Sequence, residues 1–360
     1  MATLLLFLFI LGVLIIVHEF GHFIVAKRTG VLVEKFSIGF GPVILRRKKK
    51  DTEYCISAIP LGGYVKLAGD SLQEYTGKPN QYYAQAPGKR FHIIFFGPLL
   101  NYILGFLFFW LVFFIGYPSF TTKVGGLIDG FGAKEAGIKA GDMIAAIDGK
   151  KVSSWEEMQK IIQAKKKEEE VRLSVIRDSS ELLVSVTIKE KEFPDQIGRM
   201  QSVGLIGIEP SEDLTKVRYG FTDSFLLGLR KTWDLTVITY QAFLRMLTGK
   251  LSMRETVTGP LGIFYITSKA ASVGLVAVLH LMAVLSISLA IFNLMPFPVL
   301  DGGHIFFLLI EKLRGKPFGV RTEQLVSQVG FTLIICLALF VTYNDILRLF
   351  GDKIQNFFVK

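Results

Sequence analysis

Long uninterrupted apolar runs dominate the chain, and polar residues return in blocks between them rather than at alternating positions. A bilayer core about 30 Å thick takes roughly 20 helical residues at 1.5 Å rise. Residues 1–25, 91–116 and 271–297 meet that length, 326–343 comes close to it, and each is expected to be a transmembrane helix. The first is not read as a cleaved signal peptide, because it lacks a basic start and a small-residue cleavage site. Its C-terminal half also carries His18, Glu19 and His22.

Between the spans the periodicity changes. In the loop over 26–90, residues 54–59 and 64–67 are β-rich around Pro60-Leu61-Gly62-Gly63 and predict two short strands, with 33–38 as a further one. Such strands are either packing elements beside a membrane or an edge offered to an extended chain. Residues 117–210 read as a soluble α/β module, with strands predicted at 124–128, 143–147, 171–176 and 182–188. An amphipathic helix over 154–164 is capped by Ser153 or Ser154. The run from Ala133 to Asp142, followed by Ile147 to Val152, resembles the turn-rich centre of a PDZ domain. That resemblance implies a peptide ligand at a sheet edge, although a folded spacer fits the same residues. Within the interfacial region 211–270, residues 219–246 contain many apolar residues but also Asp223, Arg230, Lys231, Asp234 and Arg245. Each charge would cost about 2.5 kcal/mol or more in lipid, so an amphipathic helix lying in the interface is predicted rather than a fifth span. A loop over 298–325 and a C-terminal tail over 344–360 complete the layout.

Composition narrows the class. With 51% hydrophobic and 20% charged residues, the chain is too apolar for an ordinary soluble enzyme, and disordered, collagen-like and disulfide-rich classes are excluded. Cys55 and Cys336 form no pattern. The net charge of +10 is densest at Arg46-Arg47-Lys48-Lys49-Lys50, read as a solvated basic turn near anionic lipid, with no nucleic-acid partner. By the positive-inside rule residues 26–90 are cytoplasmic, and the N-terminus and 117–210 lie outside the cytoplasm.

Chemistry concentrates in His18-Glu19-Phe20-Gly21-His22. Positions four apart share a helix face, so both imidazoles approach one ion while Glu19 sits beside the remaining coordination position. Ionisable groups in an apolar segment usually face a protein interior or a wet cavity. A catalytic zinc needs a third protein ligand and one open position. Asp301 is the candidate, in the run from Asn293 to His304. There two prolines interrupt the helical ladder and two glycines permit close backbone approach. The competing reading of Asp301 is an ordinary Asp-Gly turn. His304 is read as supporting a ligand or pointing to the interface. The amide of Asn293 either donates to an oxyanion or substrate backbone or makes a helix–helix hydrogen bond.

These features occur in a telling order: HEFGH in the first span, Gly97-Pro98-Leu99-Leu100-Asn101 in the second, a PDZ-like insert, then Asn-x-x-Pro-x-Pro-x-x-x-Asp-Gly in the third. Over nearly its whole length the chain resembles the site-two proteases, intramembrane zinc metalloproteases, and most of all their bacterial RseP-like branch. The resemblance implies an α-helical polytopic protein of the cell (inner) membrane with four transmembrane helices. A cytoplasmic membrane-associated β-sheet and an inserted extracytoplasmic PDZ domain accompany them. It implies Zn2+ held by His18, His22 and Asp301, with Glu19 as the catalytic carboxylate. Asn293 and Asn101 would position substrate, and the strands near 54–67 would hold it extended. The implied reaction is cleavage of a transmembrane segment of a single-pass membrane protein, such as an anti-sigma factor or a signal-peptide remnant. One departure is that the best-known bacterial relatives carry two tandem PDZ domains, whereas residues 123–210 have room for one. A zinc transporter or sensor using the same ligands calls for polar residues along several spans, where this chain has Leu, Ile and Phe. A scaffold with a relict metal site conflicts with the intact ligand set.

Overall fold

The first apolar run forms one helix because no proline interrupts its backbone ladder: α1 (Ala2–Arg28) ends only where Thr29 and Gly30 follow. Thr29 Oγ1 donates to Val25 O at 2.8 Å, Gly30 turns at φ +82°, and Lys27 and Arg28 favour the helix C-terminus. The structure, a computed structural model, describes residues 2–358 apart from 167, 196 and 317.

Along the chain follow β1 (Val33–Lys49), β2 (Thr52–Leu67), a 3-10 turn (Tyr82–Ala84) and α2 (Pro87–Ile115). Short elements come next: β3 (Tyr117–Phe120), β4 (Val124–Leu127), α3 (Gly132–Glu135), β5 (Met143–Ile147), β6 (Lys150–Lys151) and α4 (Trp155–Gln163). They continue with β7 (Glu170–Arg177), β8 (Ser180–Thr187), β9 (Lys189–Pro194), β10 (Met200–Leu205), β11 (Ile208–Pro210) and β12 (Leu214–Val217). Helices return as α5 (Phe221–Leu247), α6 (Met253–Thr256), α7 (Pro260–Val273), α8 (Leu275–Leu294), α9 (Asp301–Arg314) and α10 (Val320–Phe358).

Among the described residues, α1, α2, α8 and α10 as far as Phe350 are long and apolar enough to cross a membrane. The third of these starts at Leu275 rather than 271 because Gly274, at φ +126°, breaks the helix and splits off α7. With 14 residues, α7 is about 21 Å long and falls short of a roughly 30 Å core. Residues expected to form a tail after 343 instead continue α10 to Phe358, and 359–360 lie outside the described residues.

Two compact units divide the chain: residues up to 111, 226–246 and from 252 onward, and residues 112–225 with 247–251. In the first unit α1 is central. Ile10 and Leu14 pack against Val278 and Met282 of α8 and Leu104 and Phe108 of α2. Toward its C-terminus, Val25 and Ala26 meet Val33, Leu67 and Ile93. In lipid such contacts gain through close packing rather than dehydration, which favours small residues at crossings. Gly21 of α1 lies directly on the backbone of Phe96 and Gly97 in α2.

The loop between the first two spans carries two long, bent strands in place of short ones. Residues 35–38 lie between 63–66 on one side and 53–56 on the other, and 45–49 pair with 52–56. Gly39 and Gly41, at φ +87° and +81°, make the bend in β1. The basic run expected as a turn is therefore strand from Arg46 to Lys49, because those residues pair with β2. The turn itself is Lys50-Asp51, with Lys50 at φ +56°.

Helix α5 occupies the stretch expected to lie flat in the interface, but it runs lengthwise along α2. Gly228 rests on the backbone of Trp110, and Tyr102 Oη is 2.9 Å from Thr236 Oγ1. These contacts advance in opposite chain directions, so the helices are antiparallel there. The missing side chain at Gly228 is what lets the backbones approach. Arg230, Lys231 and Asp234 are exposed beside Leu226, Leu229 and Trp233.

In the second unit, strands in the order β6-β5-β7-β8 pack their buried face, including Leu173, Val175 and Val186, against Met158 and Ile162 of α4. Here the sequence expectations lie within a residue or two of the observed elements. Ser154 caps α4 by accepting from Glu157 N at 3.3 Å, while the Glu157 carboxylate accepts from Ser153 N at 3.1 Å. Buried Asp142 accepts from Arg177 Nε and Nη2, both at 2.7 Å, and from Lys139 N at 2.8 Å. The guanidinium holds the Asp142 carboxyl below the usual carboxylate range. A depressed carboxylate stabilises the fold above its unfolded pKa of about 4, and that contribution is lost as pH falls through the folded value. Arg177→Ala is expected to speed amide exchange in β5 and β7 about 30-fold near neutral pH, the equivalent of about 2 kcal/mol. The gap from wild type should narrow below about pH 4; a gap independent of pH would contradict this account.

Candidate metal centre

The HEFGH run falls in the second half of α1, where His18 and His22 share one face. His22 Nδ1 donates to Ile93 O of α2 at 2.8 Å, which leaves Nε2 of the neutral ring with an available lone pair. That Nε2 lies 3.2 Å from His18 Nε2 and 3.6 Å from Asp301 Oδ1, and His18 Nε2 is 3.1 Å from Asp301 Oδ2. Ligand atoms of the three residues all come within 4.8 Å of one another.

Asp301 is delivered by an irregular turn. After α8 ends at Leu294, Pro296 and Pro298 prevent the helix from continuing, and Val299 takes φ +78°, a strained conformation for a β-branched residue. Gly302 and Gly303 press the start of α9 onto this turn. A side chain at either would collide with the carbonyls of Leu294 and Met295 or of Phe297. Asp301 is thereby the first residue of α9 and points its carboxylate at the two imidazoles.

The donor set fits zinc. Ligands at roughly 2.0–2.2 Å from a tetrahedral ion stand about 3.3–3.6 Å apart, close to the three separations above. Asp301 Oδ2 and His18 Nδ1 are buried, and neither finds a hydrogen-bond partner among the described residues. A buried carboxylate against two ring nitrogens, with no aligned donor, is a costly arrangement that a shared cation relieves.

Glu19 lines the same cavity as His22 and Asp301, a space of about 290 Å³, and faces the Val65 backbone amide in β2. Gly63 of β2 is close by: a Cβ there would press on the Ser37 carbonyl at 2.8 Å and stand in ordinary contact, 3.5 Å, with Glu19 Cγ. His304 is exposed and lines the cavity without joining the ligand cluster. Asn101 and Asn293 are not among the lining residues. Asn101 is fully buried, its carbonyl accepting from Ser286 Oγ of α8 at 2.7 Å, and Asn293 is half-buried near the end of α8. For both, a substrate-positioning role rests on the family resemblance.

Sequence reasoning singled out Gly97 only as part of the second-span motif and missed its contact with the His22 imidazole, which a Cβ there would overlap. It also missed the Ile93 carbonyl. The available signal was Gly97-Pro98 in the middle of an apolar helix, since Pro98 cannot donate to the Ile94 carbonyl and loosens the ladder next to the one His22 uses.

The sequence pattern of peptidase family M50 matches residues 6–337. The chain belongs to that family. Among M50 relatives, zinc metalloprotease RasP of Oceanobacillus iheyensis is 30% identical, over 97% of this chain and 100% of its own. Regulator of sigma-W protease RasP of Bacillus subtilis is 31% identical over 97% and 99%. Regulator of sigma E protease of Haemophilus influenzae is 28% identical over 95% and 98%. The PDZ domain of an SdrC-like protein, Lin2157, from Listeria innocua is similar over 26% of this chain and 96% of that domain, at 26% identity with a TM-score of 0.21. This M50 peptidase is a zinc metalloprotease with four candidate membrane helices among its described residues.

Proposed function

We propose that this M50 chain cuts a peptide bond within or beside a membrane-spanning segment of another protein, with His18, His22 and Asp301 holding the zinc and Glu19 moving the proton. The observation that carries the reading is the meeting of two imidazole nitrogens and a carboxylate, beside Glu19, where a helix long and apolar enough to span a bilayer passes. When bound, zinc supplies a Lewis acid that polarises the scissile carbonyl and brings the ionisation of water near neutral pH. Glu19 accepts the proton of the attacking water and returns it to the leaving amine. The Ile93 carbonyl holds His22 in the tautomer and orientation a ligand needs.

A helical substrate hides its peptide bonds, so it must be unwound. Residues 63–67 of β2 pair on one side only among the described residues, and Val65 and Leu67 border the cavity. An unwound segment joins that edge as a further strand, exchanging helical hydrogen bonds for strand ones. The substrates proposed are single-pass membrane proteins, including membrane-anchored regulators of sigma factors, the process in which two relatives are named. The concentration of Lys and Arg in 26–90 supports a cytoplasmic position for that loop, with the N-terminus and the 117–210 module outside the cytoplasm. The cleft between α4 and residues 204–208 of the second unit would take a peptide.

Purified protein in nanodiscs, given a membrane-anchored reporter, should lose cleavage on chelation and regain it with added zinc. His22→Ala should lose both bound zinc and cleavage. Undiminished cleavage by fully zinc-depleted protein would refute the proposal.

A further inference from the structure

The wall of the same cavity contains an ion pair that the proposed chemistry does not use. The side chains of Arg90 in α2 and Glu311 in α9 are only 4% and 13% exposed, and the guanidinium Nη2 pairs with Glu311 Oε1. Arg90 Nε also donates to Gln85 O at 3.1 Å, and its guanidinium carbon lies 5.2 Å and 5.8 Å from the ring centres of Tyr83 and Tyr82. The planar group is thus fixed on several sides, an arrangement that a lysine cannot reproduce.

Each partner shares a helix with one support of the metal cluster. Arg90 is one turn before Ile93, whose carbonyl orients His22. Glu311 stands on α9, which begins at Asp301 and runs about 15 Å between the two carboxylates. Near Asp301, α9 is held by the packing of Gly302 and Gly303, and toward its other end by Arg90. A buried ion pair contributes little stability over an apolar pair of similar volume, whereas it fixes register well.

We infer that Arg90 and Glu311 form a clasp that sets the separation of His22 and Asp301, and so act as positioning residues for the metal centre. This rests on the reading of His18, His22 and Asp301 as zinc ligands. The clasp joins α2 to α9, and nothing else in this cavity wall ties those helices by charge among the described residues. It governs how well the centre fits its ion rather than how the ion acts.

Full-length protein in nanodiscs tests it with Arg90→Lys and Glu311→Gln. The readouts are zinc affinity by chelator competition, the absorption bands of the cobalt-substituted protein, and thermal unfolding. The clasp predicts zinc affinity at least about tenfold weaker in both variants, the scale typical of groups that orient ligands, with altered cobalt bands. Glu311→Gln keeps the side chain's shape, so the test survives if Arg90→Lys fails to fold. Wild-type affinity and cobalt bands in folded variants, with only the unfolding temperature lowered, would overturn the clasp. His22→Ala is the control: if it binds zinc as tightly as wild type, the ligand reading fails. If it loses zinc while the clasp variants do not, only the clasp fails.

Discussion

Glu19→Gln should slow cleavage of a membrane reporter by about a thousandfold while zinc stays at the wild-type level, because general acid–base transfer typically contributes 10²–10⁴-fold. The substitution keeps the size of the side chain and removes only its ability to take up a proton. Glu19 is next to the proposed ligand His18 in sequence but is not in the cluster of His18, His22 and Asp301, so the ion should not depend on it. It borders the cavity with Asp301 and faces the amide of Val65, on the strand edge where substrate would lie. Cleavage at the wild-type rate by a zinc-loaded variant would remove Glu19 from the mechanism.

Gly97→Ala should cost nearly as much by another route. The added methyl group would coincide with the His22 ring, and the ring cannot swing aside without losing its hydrogen bond to Ile93 O. Separating α1 from α2 is no easier, since Gly21 already sits on the Phe96 carbonyl. Zinc affinity should fall about a hundredfold, at the upper end for loss of ligand orientation, and cleavage should fall with it. Gly88→Ala is the matched comparison in the same helix, because a Cβ there meets open space. Equal zinc affinity in the two variants would show that the contact with His22 is unimportant.

Both effects involve parts of the molecule that differ in how far the sequence discloses them. The HEFGH spacing needs only the pitch of one helix to be read, and Asp301 is marked by the prolines and glycines around it. Four strands of the second unit (β4, β5, β7 and β8) and its capped helix follow from local alternation and Ser154, so they too were legible, whereas β9 to β12 were not anticipated. Gly97, by contrast, acts through a ring on another helix, and no local period announces such a contact. The course of α5 was missed for the same reason: hydropathy and charge set its polarity, while Gly228 sets its neighbour. The bent sheet depends on pairing between residues 33–38 and two separate stretches of β2, a register fixed by the whole loop. Arg90 and Glu311 are two unremarkable charges until folding removes both from water.

The two imidazoles stand on α1 and the carboxylate on α9, so the proposed ligand set is assembled only when helices about 280 positions apart in the chain pack together. The proposed centre is therefore a property of the packed helices and not of α1 alone.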